Sequence, residues 1–193
     1  MFKAAIAEFS ERGYDAARVD RIAAKARVNK AMLYYHFGSK QGLYLEILRD
    51  MFRSVGVRGR AIADGPGDAA HKMDAWIAAI VQEASGRPWF PPIMLREVAS
   101  GAAHLDPETF EMMNGVYAGV HDIIMQGRRE GLFRDADPLL THFTVMPAIL
   151  VFFARQRVIA TNKLVQGIAA PRHLDDFVRH MQDAVRRMLR KDI

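Results

Sequence analysis

Residues 18–40 read RVDRIAAKARVNKAMLYYHFGSK, and the fold turns on how this stretch is parsed. Two short apolar patterns, Val19 to Ala26 and Lys30 to Phe37, carry helical spacing and are separated only by Arg27-Val28-Asn29. Ile22, Ala23, Ala26, Val28 and Leu33 fall where they form a small core that fixes one helix across the other. That is a helix-turn-helix, in which the second helix enters the major groove and the first crosses the backbone. Asn29 is placed to cap the second helix, leaving its first turn open to a duplex. Small Ala31 lets that helix approach base edges, and Met32 suits a thymine methyl group. Lys30, Tyr34, Tyr35 and His36 offer donors to phosphate oxygens. Lys40, at the start of the next helix, can neutralise a further phosphate. A second reading of the aromatic run is packing between helices, which fits Phe37 and part of Tyr34.

Extended to LYYHFGSKQGLYLEIL at residues 33–48, the segment resembles the signature of the tetracycline-repressor-like (TetR) family: an aromatic residue, any residue, His, Phe, two residues, Lys, two residues, Leu. Tyr34, His36, Phe37, Lys40 and Leu43 match it, following Ile22-Ala23 and Val28. The resemblance is close over about residues 1–50 and architectural beyond. It implies a homodimer that binds a palindromic operator and releases it when a ligand occupies the C-terminal domain. It also implies DNA contacts by Arg18, Lys30, Ala31, Met32, Tyr34, Tyr35, His36 and Lys40, with Asn29 as cap. The chain departs from the family in carrying Arg27 where the turn usually has glycine, and Arg18 where threonine or serine usually precedes the first motif helix. A left-handed non-glycine costs about 1–2 kcal/mol. The first helix also begins at residue 2, without the basic arm many members carry.

Outward from the motif nearly every segment reads as helix. Phe2, Ala5, Ile6 and Phe9 form one face of a helix that Gly13 should stop. Ser39 is a credible cap for a helix whose stripe is Tyr44, Ile47, Leu48, Met51 and Phe52. Glycines make residues 56–70 read as a loosening or a turn. Helix resumes over residues 73–84 and breaks at Gly86-Arg87-Pro88, and Pro91-Pro92 opens another helix to about Ala103. Asp106-Pro107 and Asp137-Pro138 are strong start signals, the first for a helix ending near Gly131 and the second for one that Pro147 should kink. Pro171 opens the last helix, with a stripe of Leu174, Phe177, Val178, Met181, Val185, Met188 and Leu189. No strand alternation is visible. The fold class is all-α: a helix-turn-helix domain over residues 1–48, then a helical bundle for ligand binding and dimerisation over residues 49–193.

Charge supports this division. Residues 1–60 hold 12 Lys/Arg against 6 Asp/Glu, a net +6, and the remainder 15 against 16, a net −1. The excess positive charge sits in the first third, as expected for a nucleic-acid-binding module. With no cysteine, disulfides and thiolate metal sites are excluded, which fits a reducing cytoplasm. The apolar run at residues 145–154 is short of the roughly 20 residues needed to span a bilayer, so no membrane partner is expected.

The bulky apolar residues after the motif exceed what a DNA-binding module needs. Trp76, Phe90, Met94, Phe110, Met113, Tyr117, Phe143 and Met146 are candidates to line an effector pocket, with His121, His142 and Arg96 to orient a small apolar effector. For each, ordinary core is the competing reading. The run at residues 145–154 is apolar all round, which favours a homodimer packed through the last two helices, roughly 138–163 and 171–190. Two recognition helices would then face DNA about 34–36 Å apart or somewhat more. No phosphate-binding glycine loop, HExxH or nucleophile elbow is present, and His104, His121 and His142 lie far apart in sequence, so neither an enzyme, a metal site nor a cofactor is expected. A structural or nonspecific DNA-binding protein is the alternative, although it would not need so bulky a C-terminal domain.

Overall fold

Four of the start signals expected from the sequence, and one at Asp68 that was not, are occupied by hydrogen bonds in the computed structural model, which describes residues 1–161 and 174–191. Asn29, Ser39, Asp68, Asp106 and Asp137 each accept a backbone N–H in the turn they precede. Caps of this kind contribute about 1 kcal/mol each and set where helices begin. Among the described residues the helices are α1 (Phe2–Ala16), α2 (Val19–Ala26), α3 (Lys30–Phe37), α4 (Lys40–Asp64), α5 (Ala69–Gly86), α6 (Phe90–Ala99), α7 (Pro107–Arg129), α8 (Pro138–Thr161) and α9 (Leu174–Leu189). Among the described residues, strand-like pairing is confined to one bridge between Phe133 and Arg190. Gly13 sits at φ 77°, ψ 174° and breaks α1 before its last turn.

The buried core is continuous. At one end Ala5, Phe9, Ile22, Leu33, Leu43, Ile47 and Leu48 tie α1 to α4 together, and at the other Met73, Trp76, Ile77, Ile93, Val120 and Ile123 join α4 to the helices beyond it. The helix α4 runs through both parts. Its far half packs along α7, while α6 lies between α8 and α1. Met181, Val185 and Leu189 bury the stripe of α9, which lies on α5, where Arg186 pairs with Asp74 at 2.6 Å. Phe152 of α8 stacks on Phe177 of α9, ring centroids 3.7 Å apart.

Three expectations need correction. Residues 56–70 do not loosen: α4 runs unbroken to Asp64, and the turn is confined to residues 65–68. Gly59 serves packing, because it faces Gly119 of α7 so closely that a Cβ on Gly119 would stand 3.1 Å from Gly59 backbone atoms. Helix α6 stops at Ala99, short of Ala103, because Gly101 and Ala102 both take positive φ. Third, the apolar stretch is not confined to residues 145–154: Pro138–Gln156 has a mean hydropathy of 1.4 over 19 residues, a length and composition that a core helix shares with a membrane span. Thr141, His142 and Thr144 interrupt the apolar run without adding charge, so a count of uninterrupted residues missed it. One face of α8 is core (Val145, Ile149, Leu150, Phe153), and the other leaves Leu139, Leu140, Phe143, Pro147 and Val151 exposed. The helix is continuous through Pro147. The expected opening at Pro171, and the ends of the last two helices at 163 and 171, lie outside the described residues.

Candidate nucleic-acid interface

Helices α2 and α3 meet through Ile22 and Leu33, both fully buried. Arg27 makes the turn between them in the left-handed region, φ 55° and ψ 42°, and the N–H of Val28 returns to the Ala23 carbonyl at 3.1 Å. Asn29 Oδ1 accepts the Ala31 N–H at 2.8 Å and starts α3. Of the eight residues of α3 only Leu33 is buried, with Phe37 half-buried. Lys30, Ala31, Met32, Tyr34, Tyr35 and His36 all face solvent, Tyr35 at 86 % exposure. A helix that spends two tyrosines and a methionine on water presents a surface that a partner would desolvate.

The charges around this surface are organised. Lys30 Nζ lies 2.8 Å from Asp20 Oδ1, and each holds the other in its charged form. The Lys30 hydrogen bond and charge keep the Asp20 carboxyl below the usual range, and Asp20 raises Lys30 in return. Arg18 is exposed at the N-cap of α2, where its N–H donates to Glu8 at 3.2 Å. Lys40 has partners within the protein. Its Nζ donates to the Asp15 carbonyl at 3.2 Å and sits 4.5 Å from the centroid of the Tyr14 ring. It braces the end of α1 against α4, and a phosphate would have to compete with both contacts. Arg21 and Lys25 are further exposed cations beside the turn, whose only signal in the sequence was the charge count, and Arg27, expected there for its backbone, adds a third. The sequence reading passed over Gly42, where a Cβ would overlap the Phe37 carbonyl oxygen, so the corner between α3 and α4 requires glycine.

The candidate effector residues are not gathered in one place. Trp76, Phe90 and Met94 are closed into the core, and Phe90 meets Phe52 edge-on at 5.7 Å. Phe110 and Phe143 are exposed, contrary to their expected place in a pocket, because they lie on the outward faces of α7 and α8. Met113, Tyr117, His121 and Met146 are half-buried. Tyr117, His142 and Trp76 do form a chain of rings, with Tyr117 5.7 Å and Trp76 6.4 Å from His142. His121 is drawn to Asp122 at 3.0 Å, and Asp122 pairs with Arg60 at 2.5 Å. Burial pushes His142 down to about 4, so it is neutral at neutral pH. Its Nδ1 and Trp76 Nε1 are buried with no hydrogen-bond partner among the described residues. Arg96 faces away from this chain and donates to the Ser10 carbonyl at 2.8 Å. An open groove of about 520 Å³ lies between α4 and α5, bordered by Arg53, Arg58, Glu83 and Arg87 and by none of the effector candidates. Among the described residues no three His, Cys, Asp or Glu side chains are placed to hold a metal ion.

Residues 2–47 match the family described as bacterial regulatory proteins, tetR family, and residues 70–185 match the tetracyclin repressor-like C-terminal domain. The chain is 28% identical over 194 residues to the HTH-type transcriptional repressor NicS of Pseudomonas putida, covering 99% of this chain and 91% of that one. It is 29% identical over 139 residues to the HTH-type transcriptional repressor SCO4008 of Streptomyces coelicolor, covering 72% and 68%. The crystal structure of a tetR-family regulatory protein from Rhodococcus RHA1 superposes with a TM-score of 0.78 at 20% identity, over 99% of this chain and 96% of that one, a likeness of fold. With two matched domains and an outward-facing α3, the chain belongs to the TetR family and is a DNA-binding transcriptional regulator, not an enzyme.

Proposed function

We propose that the protein is an effector-responsive repressor that binds a palindromic operator as a homodimer. The observation that carries this reading is the outward surface of α3, with Tyr35 at 86 % exposure and only Leu33 of the helix buried. Lys30, Ala31, Met32, Tyr34, Tyr35 and His36 make the contacts, with Arg18 on the flanking backbone and Asn29 as cap. Residues 1–48 form the reading domain and residues 49–193 the effector and dimer domain. The exposed row on α8 supports a two-fold interface, since Leu140, Phe143, Pro147 and Val151 recur at helical spacing on one face. Trp76, Tyr117 and His142 support an effector site between α5, α7 and α8, because buried polar atoms without partners favour a ligand that satisfies them. The effector shifts the population towards a dimer whose reading heads no longer match the operator spacing.

A duplex enriched from a random-sequence pool tests the first part. The wild-type chain should prefer it over unselected duplex by about 10³-fold or more at physiological salt. Joint replacement of Lys30, Tyr35 and His36 by alanine should abolish that preference while leaving the thermal transition unchanged. Equal affinity for all duplexes would make the protein a nonspecific DNA binder instead.

A further inference from the structure

We infer that Arg96 and His104 of the C-terminal domain set the angle of the reading head by gripping the broken end of α1, with Glu97 tying the same segment to Tyr44, so that the head has an attachment beyond its covalent link through α4. The break comes first. With Gly13 at φ 77° and ψ 174°, the backbone turns away from the helix axis, and carbonyls of the preceding turn need donors from elsewhere. Arg96 of α6 supplies them, with Nη1 donating to Ser10 O at 2.8 Å and Nη2 reaching Glu11 O at 3.4 Å. A cation at a helix C-terminus also complements the negative end of its dipole. Gly13 is needed twice, for its positive φ and because a Cβ there would stand 3.2 Å from Arg96 Cδ.

The neighbouring side chain completes the grip. Glu97 is 1 % exposed, and its Oε1 accepts the Tyr44 hydroxyl at 2.6 Å and meets His104 Nδ1 at 2.8 Å. On its other edge His104 Nε2 faces Asp15 Oδ1 at 3.3 Å, and its ring lies 4.3 Å from that of Tyr14. Gln41 donates to the His104 carbonyl at 3.3 Å. Residues 96–104 therefore hold the end of α1 (Ser10, Glu11, Tyr14, Asp15) and the start of α4 (Gln41, Tyr44) together. A buried carboxylate is a poor source of stability compared with an apolar side chain of similar size. What it supplies here is direction, since its partners lie on α4 and on the segment that follows α6. A head joined through α4 alone is held by a single rod. A second attachment on α1 fixes its rotation about that rod, and because α6 packs on α8, displacement of α6 reaches α1 directly.

The inference rests on α3 being the DNA-reading surface, and the two measurements that test it fail separately. The chain has no cysteine, so Lys25→Cys on α2 and Gln82→Cys on α5, both exposed, can carry a spin-label pair. Labelled chain is diluted into unlabelled chain so that distances within one protomer dominate. Arg96→Ala should broaden or shift the distance distribution, and Arg96→Lys, which keeps the charge but reaches one carbonyl, should restore part of it. On DNA, Arg96→Ala should weaken binding to the enriched duplex by about tenfold, with affinity for unselected duplex and its salt dependence unchanged. An unaltered distance distribution overturns the inference, as does an equal loss on both duplexes. If Arg96→Ala does not fold, His104→Asn carries the same two readouts. If the wild-type chain enriches no duplex, the reading surface is wrong, and the label distances alone judge the grip.

Discussion

Asp20 is the residue on the reading face whose charge runs against its purpose. Its carboxylate holds Lys30 at 2.8 Å on an exposed surface, so the lysine is already partnered before DNA arrives. Asp20→Asn should release Lys30, raise affinity for unselected duplex and steepen the slope of log affinity against log salt by about 1. Thermal stability should stay within about 0.5 kcal/mol, as for other surface substitutions. Titration at several salt concentrations checks this, and an unchanged slope would show that Lys30 does not reach a phosphate. His142 makes a different prediction. Its folded value of about 4 lies below the ordinary 6.5, so the unfolded chain binds more protons between these limits. Its contribution to stability is complete above pH of about 6.5 and is lost as pH falls towards 4. Wild type should therefore lose about 2 kcal/mol more than His142→Gln between pH 7 and pH 4.5. Comparing the two chains removes the shared acid sensitivity of Asp106 and Asp122, whose carboxyls are also held below the usual range, by hydrogen bonds from Thr109 and His121 respectively. At this scale the sequence was informative where chemistry is local: the Asn29 cap and the left-handed Arg27 were both legible. The direction of Arg96 was not, because its partners lie 86 and 85 residues away in the chain.

Among the elements, α4 shows how one residue type carries opposite meanings. Gly56 has open space where a Cβ would go, whereas Gly119 faces the α4 backbone at 3.1 Å. Gly56→Ala should stabilise the protein by about 0.5–1 kcal/mol through helix propensity and the unfolded chain. Gly119→Ala should destabilise it by about 1–3 kcal/mol, because the α4–α7 crossing must open to admit a methyl group. Urea unfolding of the two variants checks both signs, and equal stabilisation would mean that the crossing yields. Gly42→Ala should be worse still for the reading domain, since the clash is with the Phe37 carbonyl and not with a movable side chain. Sequence treats these glycines alike and so suggested a turn at residues 56–70. Whether a glycine ends a helix or admits a neighbour depends on what lies across from it.

For the whole molecule, the proposed two-fold interface is the apolar row on α8. Leu140 and Phe143 are 67% and 62% exposed, and replacing both with glutamate should convert a dimer to monomer at micromolar concentration in sedimentation. The monomer should keep its helicity and lose affinity for a two-half-site duplex by more than for a single half-site, because only the dimer fixes the spacing between reading heads. A variant still dimeric would place the interface elsewhere. The sequence by itself determined the all-α class, the helix-turn-helix and most helix starts, because caps, turn residues and helical periodicity act within a few positions of one another. Only the tertiary structure decided that Lys40 is a brace, that Arg96 grips α1, that Phe110 and Phe143 stay outside, and that α4 runs unbroken. Those outcomes depend on which surfaces meet across long stretches of chain, and burial and hydrogen-bond partners are settled by that meeting.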